Sequence, residues 1–201
     1  MNRLSVIGLV VVAVVSLGWL RVVTADEERF QPILEADLPD GFPPPTPVGT
    51  IEVKQYPEYR KATSSGRAAF WTLFRHIQRN NISMTAPVEM TYSGADSERL
   101  QEQSMAFLYG STALGNPGWE GAVEIADVPA ATVVSIGVRG PRTDPAVLQA
   151  HHRLEAWLES RESEFVIAGP VRVMAYNSPF VRPDRQFFEV QIPIEAHGEW
   201  P

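Results

Sequence analysis

The chain has 201 residues, 44% of them hydrophobic and 20% charged, a composition that suits one globular domain with appendages. Its formal charge of -7 repels phosphate backbones, which argues against nucleic acid as a partner. It has no cysteine, and this excludes disulfides, thiolate nucleophiles, cysteine-ligated zinc and thioether-linked cofactors.

Residues 1–25 form a separate unit. Arg3 precedes an apolar run from Leu4 to Leu20, and Val23-Thr24-Ala25 offers small residues before Asp26-Glu27-Glu28. This reads as a signal peptide cleaved after Ala25, or as a membrane anchor if it is retained. Either way the expectation is an exported protein, periplasmic, extracellular or held at a membrane. Residues 26–48 carry Pro39, Pro43, Pro44, Pro45 and Pro47, which favour extended structure. This stretch reads as a semi-rigid linker.

The folded domain is expected over residues 49–196. Ile51 and Val53 alternate with Glu52 and Lys54, the pattern of a half-buried strand, and a second strand covers Tyr59 to Thr63. Ser65 is a candidate helix cap. From Arg67 the period becomes helical: Phe70, Leu73, Phe74 and Ile77 make an apolar stripe, with Arg67, Arg75 and Arg79 off it. Asn80 and Asn81 stop that helix. Met84 to Tyr92 reads as a strand broken at Pro87, and Met105 to Tyr109 as another, followed by a loop from Gly110 to Gly121.

The order then repeats. A strand opens at Val123 and Ile125, Pro129 follows, and a longer strand runs from Ala131 to Val138. Pro145 suits the first position of a helix whose stripe is Val147, Leu148, His151, Leu154, Trp157 and Leu158. Val171 to Tyr176 is a strand. Phe188, Val190, Ile192 and Ile194 then alternate with Phe187, Glu189, Gln191 and Pro193 in the clearest strand of the chain. The fold class is therefore α+β: duplicated ββαββ units forming a distorted antiparallel β-barrel or sheet with two flanking helices.

Several of these segments resemble one family. Ser83-Met84-Thr85-Ala86-Pro87-Val88 resembles the signature of the SOUL haem-binding family. Phe70, Leu73, Ile77, Gln78 and Asn81 match its preceding helix, and Ile51 to Lys54 with Tyr56 its opening strand. Met105-Ala106-Phe107, Tyr176 to Phe180 and Glu189-Val190 follow in the family's order. The resemblance spans Thr50 to about Ile192. It implies the duplicated fold, related to effector-binding domains of bacterial regulators, and non-covalent binding of haem or another porphyrin.

A tetrapyrrole is a flat apolar disc with carboxylates at one edge, so its site needs an apolar floor and cations at the rim. The family places two such cations on the first helix and one near the C-terminal segment. These positions fall on Arg67, Arg75 and, nearest to the third, Arg182, with Phe70 and Phe74 as the aromatic floor. Without the resemblance, Arg67 and Arg75 read as solvated side chains. One branch of the family carries a histidine in the first strand; here that place holds Gln55. His76 stands next to Arg75, and the bland reading of each histidine is a packed or solvated ring. His151 and His152 point about 100° apart on the second helix, which argues against their chelating one metal, and no metal site is expected.

Enzyme signatures are absent: no Gly-rich phosphate loop, no Gly-x-Ser-x-Gly turn and no zincin histidine pair. Glu89, Asp96 and Glu98 lie near a predicted loop, where solvation is the default. The expectation is a non-enzymatic carrier, buffer or sensor of a tetrapyrrole. The alternative is a haem-independent interaction or effector-binding module on the same fold.

Overall fold

The computed structural model describes residues 30–94 and 100–197. The expected signal or anchor segment lies outside the described residues, as do Asp96 and Glu98. Among the described residues, no helix is long and apolar enough to cross a membrane.

The elements run β1 (Ile51–Tyr56), β2 (Tyr59–Ser64), α1 (Ala69–Arg79), β3 (Val88–Ser93), β4 (Gln101–Leu108), β5 (Gly118–Glu120), β6 (Val123–Val128), β7 (Ala131–Arg139), α2 (Asp144–Glu159), β8 (Phe165–Ile167), β9 (Arg172–Ala175) and β10 (Phe187–Ala196). The strands form one antiparallel sheet in the order β1-β7-β10-β9-β3-β4-β2-β6-β5, with β8 also paired to β10. Exchanging β1 with β6, β2 with β7, β3 with β9 and β4 with β10 returns this order read backwards, short β5 aside. The duplication expected from the sequence is thus a twofold relation centred between β3 and β9. The short strands β5 and β8 fall in stretches too brief to show a period.

The sheet curls, but it is not a closed barrel. Its hydrogen-bond path ends at β1 and at β5. The curl comes from a bent ribbon. β1 pairs with β7 and β2 pairs with β6, and Tyr56 lies opposite Ala131 while Tyr59 lies opposite Val128. The register therefore passes through Pro57-Glu58 and Pro129-Ala130 without a slip. Proline offers no N–H, so a break there gives up no donor from the ladder. Beyond the bend, one arm of the ribbon joins β10 through β7 and the other joins β4 through β2.

Both helices lie on one face of this sheet. Leu73 and Ile77 of α1 pack with Phe107, Tyr109 and Ile125, with Val88 at the edge of the cluster. Val147, Leu154 and Leu158 of α2 pack with Phe188, Val190, Ile192 and Met90. Val88 and Met90 are two apart on β3, so they share a face. Thr143 caps α2, its side chain accepting from the Ala146 N–H, and Pro145 sits in the first turn. The expected Ser65 cap is not used; α1 starts after a turn through Gly66 and Arg67, with Ala68 at its cap position and no side-chain cap.

The opposite face is polar and buried. Glu189 and Gln191, which alternate with the apolar residues of β10, are fully buried. Glu189 accepts from Lys54 Nζ at 2.8 Å, from the Tyr176 hydroxyl at 3.0 Å, from Gln191 and from the Thr46 N–H. Glu89, placed near a loop by the sequence reading, is in fact a buried residue of β3. It pairs with Lys61, accepts from the Tyr59 hydroxyl at 2.8 Å and lies 3.6 Å from Arg172. Arg172 links the two carboxylate clusters. It donates to Gln191 at 2.9 Å and to the Tyr59 hydroxyl at 3.0 Å, and lies over the Tyr56 ring. Burial pushes the Tyr56, Tyr59 and Tyr176 hydroxyls up, so they stay protonated donors. Burial also works against ionisation of Glu89, but Lys61 and Arg172 outweigh it and hold the carboxyl below its ordinary range.

Residues 30–48 cover this polar face, rather than standing away from the domain as the linker reading expected. Their proline-rich backbone bends at residues 35–36 and turns at Asp40-Gly41, and its side chains and amides are used. Phe42 sets its ring edge-on to Tyr56 and Tyr59 at 4.9 and 5.2 Å. Thr46 is fully buried and bonds Ser135. Val48 bridges to Gly137, and the Ala86 and Asp40 amides tie the strap to the body through Asp37 and Gly110 carbonyls. A side chain at position 137 would collide with this strap, because a Cβ there lies 2.2 Å from the Thr46 carbonyl oxygen.

Two outcomes follow. Gly137→Ala should displace the strap, lower unfolding stability by about 1–3 kcal/mol in urea and speed proteolysis between residues 39 and 48. Glu89→Ala, which leaves Arg172 and Lys61 facing an empty place, should cost about 3–5 kcal/mol in the same assay. Because the folded Glu89 value lies below the unfolded one, its contribution is complete above the ordinary glutamate range and is lost as pH falls through the folded value. Wild-type stability should therefore drop on acidification below that range, and Glu89→Gln should show a shallower drop.

Candidate functional site

The helix face left over after core packing is α1's outer side. Ala69, Leu73, His76 and Ile77 turn inward. Phe70 and Phe74, one turn apart, stack with centroids 6.1 Å apart and planes 8° apart. Trp71 sets its ring edge-on to both, and Phe70 rests against Phe107 below. The cluster is only partly covered: Phe70 is 37% and Trp71 61% exposed. Large aromatics grouped at a surface mark a place where something else binds more often than scattered ones do.

Cations border this patch. Arg67 is exposed in the turn that starts α1 and makes no hydrogen bond or ion pair among the described residues. Arg75 is exposed on the helix; its Nε donates to the Trp71 carbonyl at 3.1 Å, and no carboxylate of the described residues pairs with it. Thr72, Arg75, Gln78 and Arg79 line a depression of about 550 Å³, a size in the range of small-molecule sites. An aromatic floor with guanidinium groups beside it, and no acid among the described residues to neutralise them, is a donor set that suits a propionate-bearing disc.

Arg182 is not part of this group. It lies in the β9–β10 connection, where both its Nε and its Nη2 engage Asp184 at 3.0 and 2.8 Å. That carboxyl is held below its ordinary range by the hydrogen bonds from Arg182. The guanidinium is thus already occupied, and no hydrogen bond or ring contact among the described residues ties it to α1. Phe180 beside it is 94% exposed.

The histidines are placed away from the patch. His76 is on α1 but turned inward, with Nε2 2.7 Å from the Tyr109 hydroxyl and Nδ1 3.1 Å from Glu120. Asn80 donates to Glu120 at 3.0 Å and so closes the cluster. Burial, then Glu120, pushes the Tyr109 hydroxyl up to about 12. This cluster clamps the last turn of α1 to β4 and β5, which fixes how the outer face of the helix is presented. Gln55 is exposed on β1, opposite Thr132. His151 and His152 lie on α2, and His197 is exposed beyond β10.

Sequence reasoning passed over Trp71, although its place between Phe70 and Phe74, off the buried stripe, is visible in the helical period. It also passed over the His76–Tyr109–Glu120 clamp, for which no local signal exists, since β5 brings Glu120 from forty residues away. The Met84 to Val88 run has the structural part expected of it: the Thr85 hydroxyl donates to the Leu108 carbonyl at 2.7 Å and Ala86 anchors the strap.

Among solved structures, the C-terminal domain of EcmrR is similar with a TM-score of 0.54 and 17% identity, over 73% of this chain and 97% of that one. A hydrolase from Listeria innocua is similar with a TM-score of 0.53 and 11% identity, over 75% of this chain and 94% of that one. At such identities the likeness is one of fold. A search of curated proteins gives no match. The profile described as SOUL heme-binding protein matches residues 46–193, beginning inside the strap that completes the polar face, and the chain belongs to the SOUL heme-binding protein family.

Proposed function

We propose that this protein is an exported, non-enzymatic module that binds haem or a related tetrapyrrole on the outer face of α1. The observation that carries the reading is the half-exposed Phe70, Trp71 and Phe74 cluster beside Arg67 and Arg75, two arginines that no carboxylate among the described residues neutralises. Family membership supplies the ligand class. When bound, a haem would supply iron chemistry; the chain's own part is to cover one face of the ring and to pair its carboxylates.

Phe70, Trp71 and Phe74 would hold the ring, and Arg67 and Arg75 would face the propionates. Arg182 is left out of this set, because no hydrogen bond or ring contact among the described residues brings it to α1. No histidine of the described residues lies on this face, so affinity rests on burial and charge rather than on an iron–nitrogen bond. A carrier or buffer that takes iron-loaded and iron-free rings alike fits that arrangement. Export is supported by the residue pattern of the first 25 positions.

The full chain in detergent, titrated with hemin and with protoporphyrin IX, should bind both with similar affinity, followed by the Soret band and tryptophan quenching. Replacing Arg67 and Arg75 together by glutamate should weaken both ligands by roughly tenfold or more. Trp71→Phe should remove much of the quenching while leaving the Soret change. Saturation by neither ring would favour the haem-independent interaction module. Saturation with the charge-reversed chain unaffected would move the site away from α1.

A further inference from the structure

We propose that α2 carries a binding site for a divalent transition-metal ion, formed by His151, His152 and Glu155. One ligand atom from each of these residues lies within 4.8 Å of the others. The helix explains the convergence. Successive residues are about 100° apart, so Glu155 falls roughly 40° round from His151 and 60° from His152. The carboxylate thus sits between the two ring directions, one turn along. The argument that consecutive histidines diverge applies to their Cα–Cβ bonds; their ring centroids are 6.1 Å apart, and a residue between them completes the set.

A second observation points to a cation here. His151 is 2% exposed, and its Nδ1 has no hydrogen-bond partner. That nitrogen lies 3.4 Å from a Glu155 oxygen, but without the geometry of a hydrogen bond. A buried ring nitrogen left unpaired beside a carboxylate oxygen is costly. A metal ion between them satisfies both.

The surroundings allow loading from solvent. His152 is exposed and Glu155 half-buried, while His151 belongs to the face of α2 that packs on the sheet. Two imidazoles and one carboxylate suit zinc, cobalt, nickel or copper better than calcium or magnesium. Ligand atoms around a tetrahedral zinc stand roughly 3.3 Å apart, given bonds of about 2.0–2.1 Å, so modest side-chain rotation closes the site. Three protein ligands leave one position for water or an added small ligand. The site is on α2, whereas the proposed tetrapyrrole surface is on α1, so neither depends on the other.

The test uses the full untagged chain in detergent. Calorimetry with zinc chloride should show one ion per chain at micromolar concentration, and cobalt chloride should give a visible ligand-field absorption. His152→Ala and Glu155→Gln replace side chains in contact with solvent, so both variants should keep the wild-type melting curve. Each should weaken zinc binding by about tenfold or more, while the hemin titration stays as in the wild type. The ring nitrogens of His151 and His152 should shift together in nitrogen-15 spectra on adding zinc. The proposal is overturned if zinc does not saturate the wild type below millimolar concentration, or if the double variant binds it as the wild type does.

Discussion

The structure depends on one constraint: a polar sheet face that is closed off from water must find partners for nearly all the groups it carries, and of the described side chains on that face only Arg172 Nη2 is left without a hydrogen bond. The ribbon of β1–β2 with β6–β7 bends at its prolines, and the two arms bring the rest of the sheet round with them. Glu189 and Glu89 are thereby buried, and each has a lysine from the ribbon, Lys54 or Lys61, supplied to it. Arg172 and the tyrosine hydroxyls tie the two carboxylates into one network. Such buried pairs do not make a fold more stable than an apolar core would, but they are unforgiving of misplacement. A one-residue slip of β10 would bring Phe188 to face Lys54 and turn Glu189 into the apolar layer under α2.

The same constraint gives the proline-rich segment its place. Prolines lack a donor, so an extended chain rich in them can lie on a buried surface with fewer amides to satisfy. The amide that Thr46 does offer is taken by Glu189, and Gly137 lets the strap come within contact of β7. The helices occupy the other face. α1 buries a narrow stripe and is locked at its end by His76, Tyr109 and Glu120, so its aromatic and cationic side is left outward. The surface proposed for the ligand is therefore what remains when the core and the clamp have taken their share of the helix.

Much of this was legible in the residues. The strand–strand–helix order repeated on either side of the middle gave the duplication, because apolar periodicity is local and survives in each half. Helical spacing grouped Phe70, Leu73, Phe74 and Ile77 in one stripe, and the structure buries Leu73 and Ile77 while leaving Phe70 partly exposed. Arg182 was placed with the site by alignment to a family pattern, and in the structure its guanidinium pairs with exposed Asp184, two residues on. Glu89 was read as solvated near a loop, because alternation tells which residues share a face but not whether that face meets water. His151 and His152 were separated by the geometry of Cα atoms, and the third residue that lies between their directions was not considered.

The amino-acid order by itself determined the elements, their duplication, the family and the aromatic stripe of the first helix, since each of these rests on spacing within one segment. The tertiary structure alone decided that both sheet faces are buried and that the strap belongs to the domain. Those are contacts between groups far apart in the chain, and no local period encodes them.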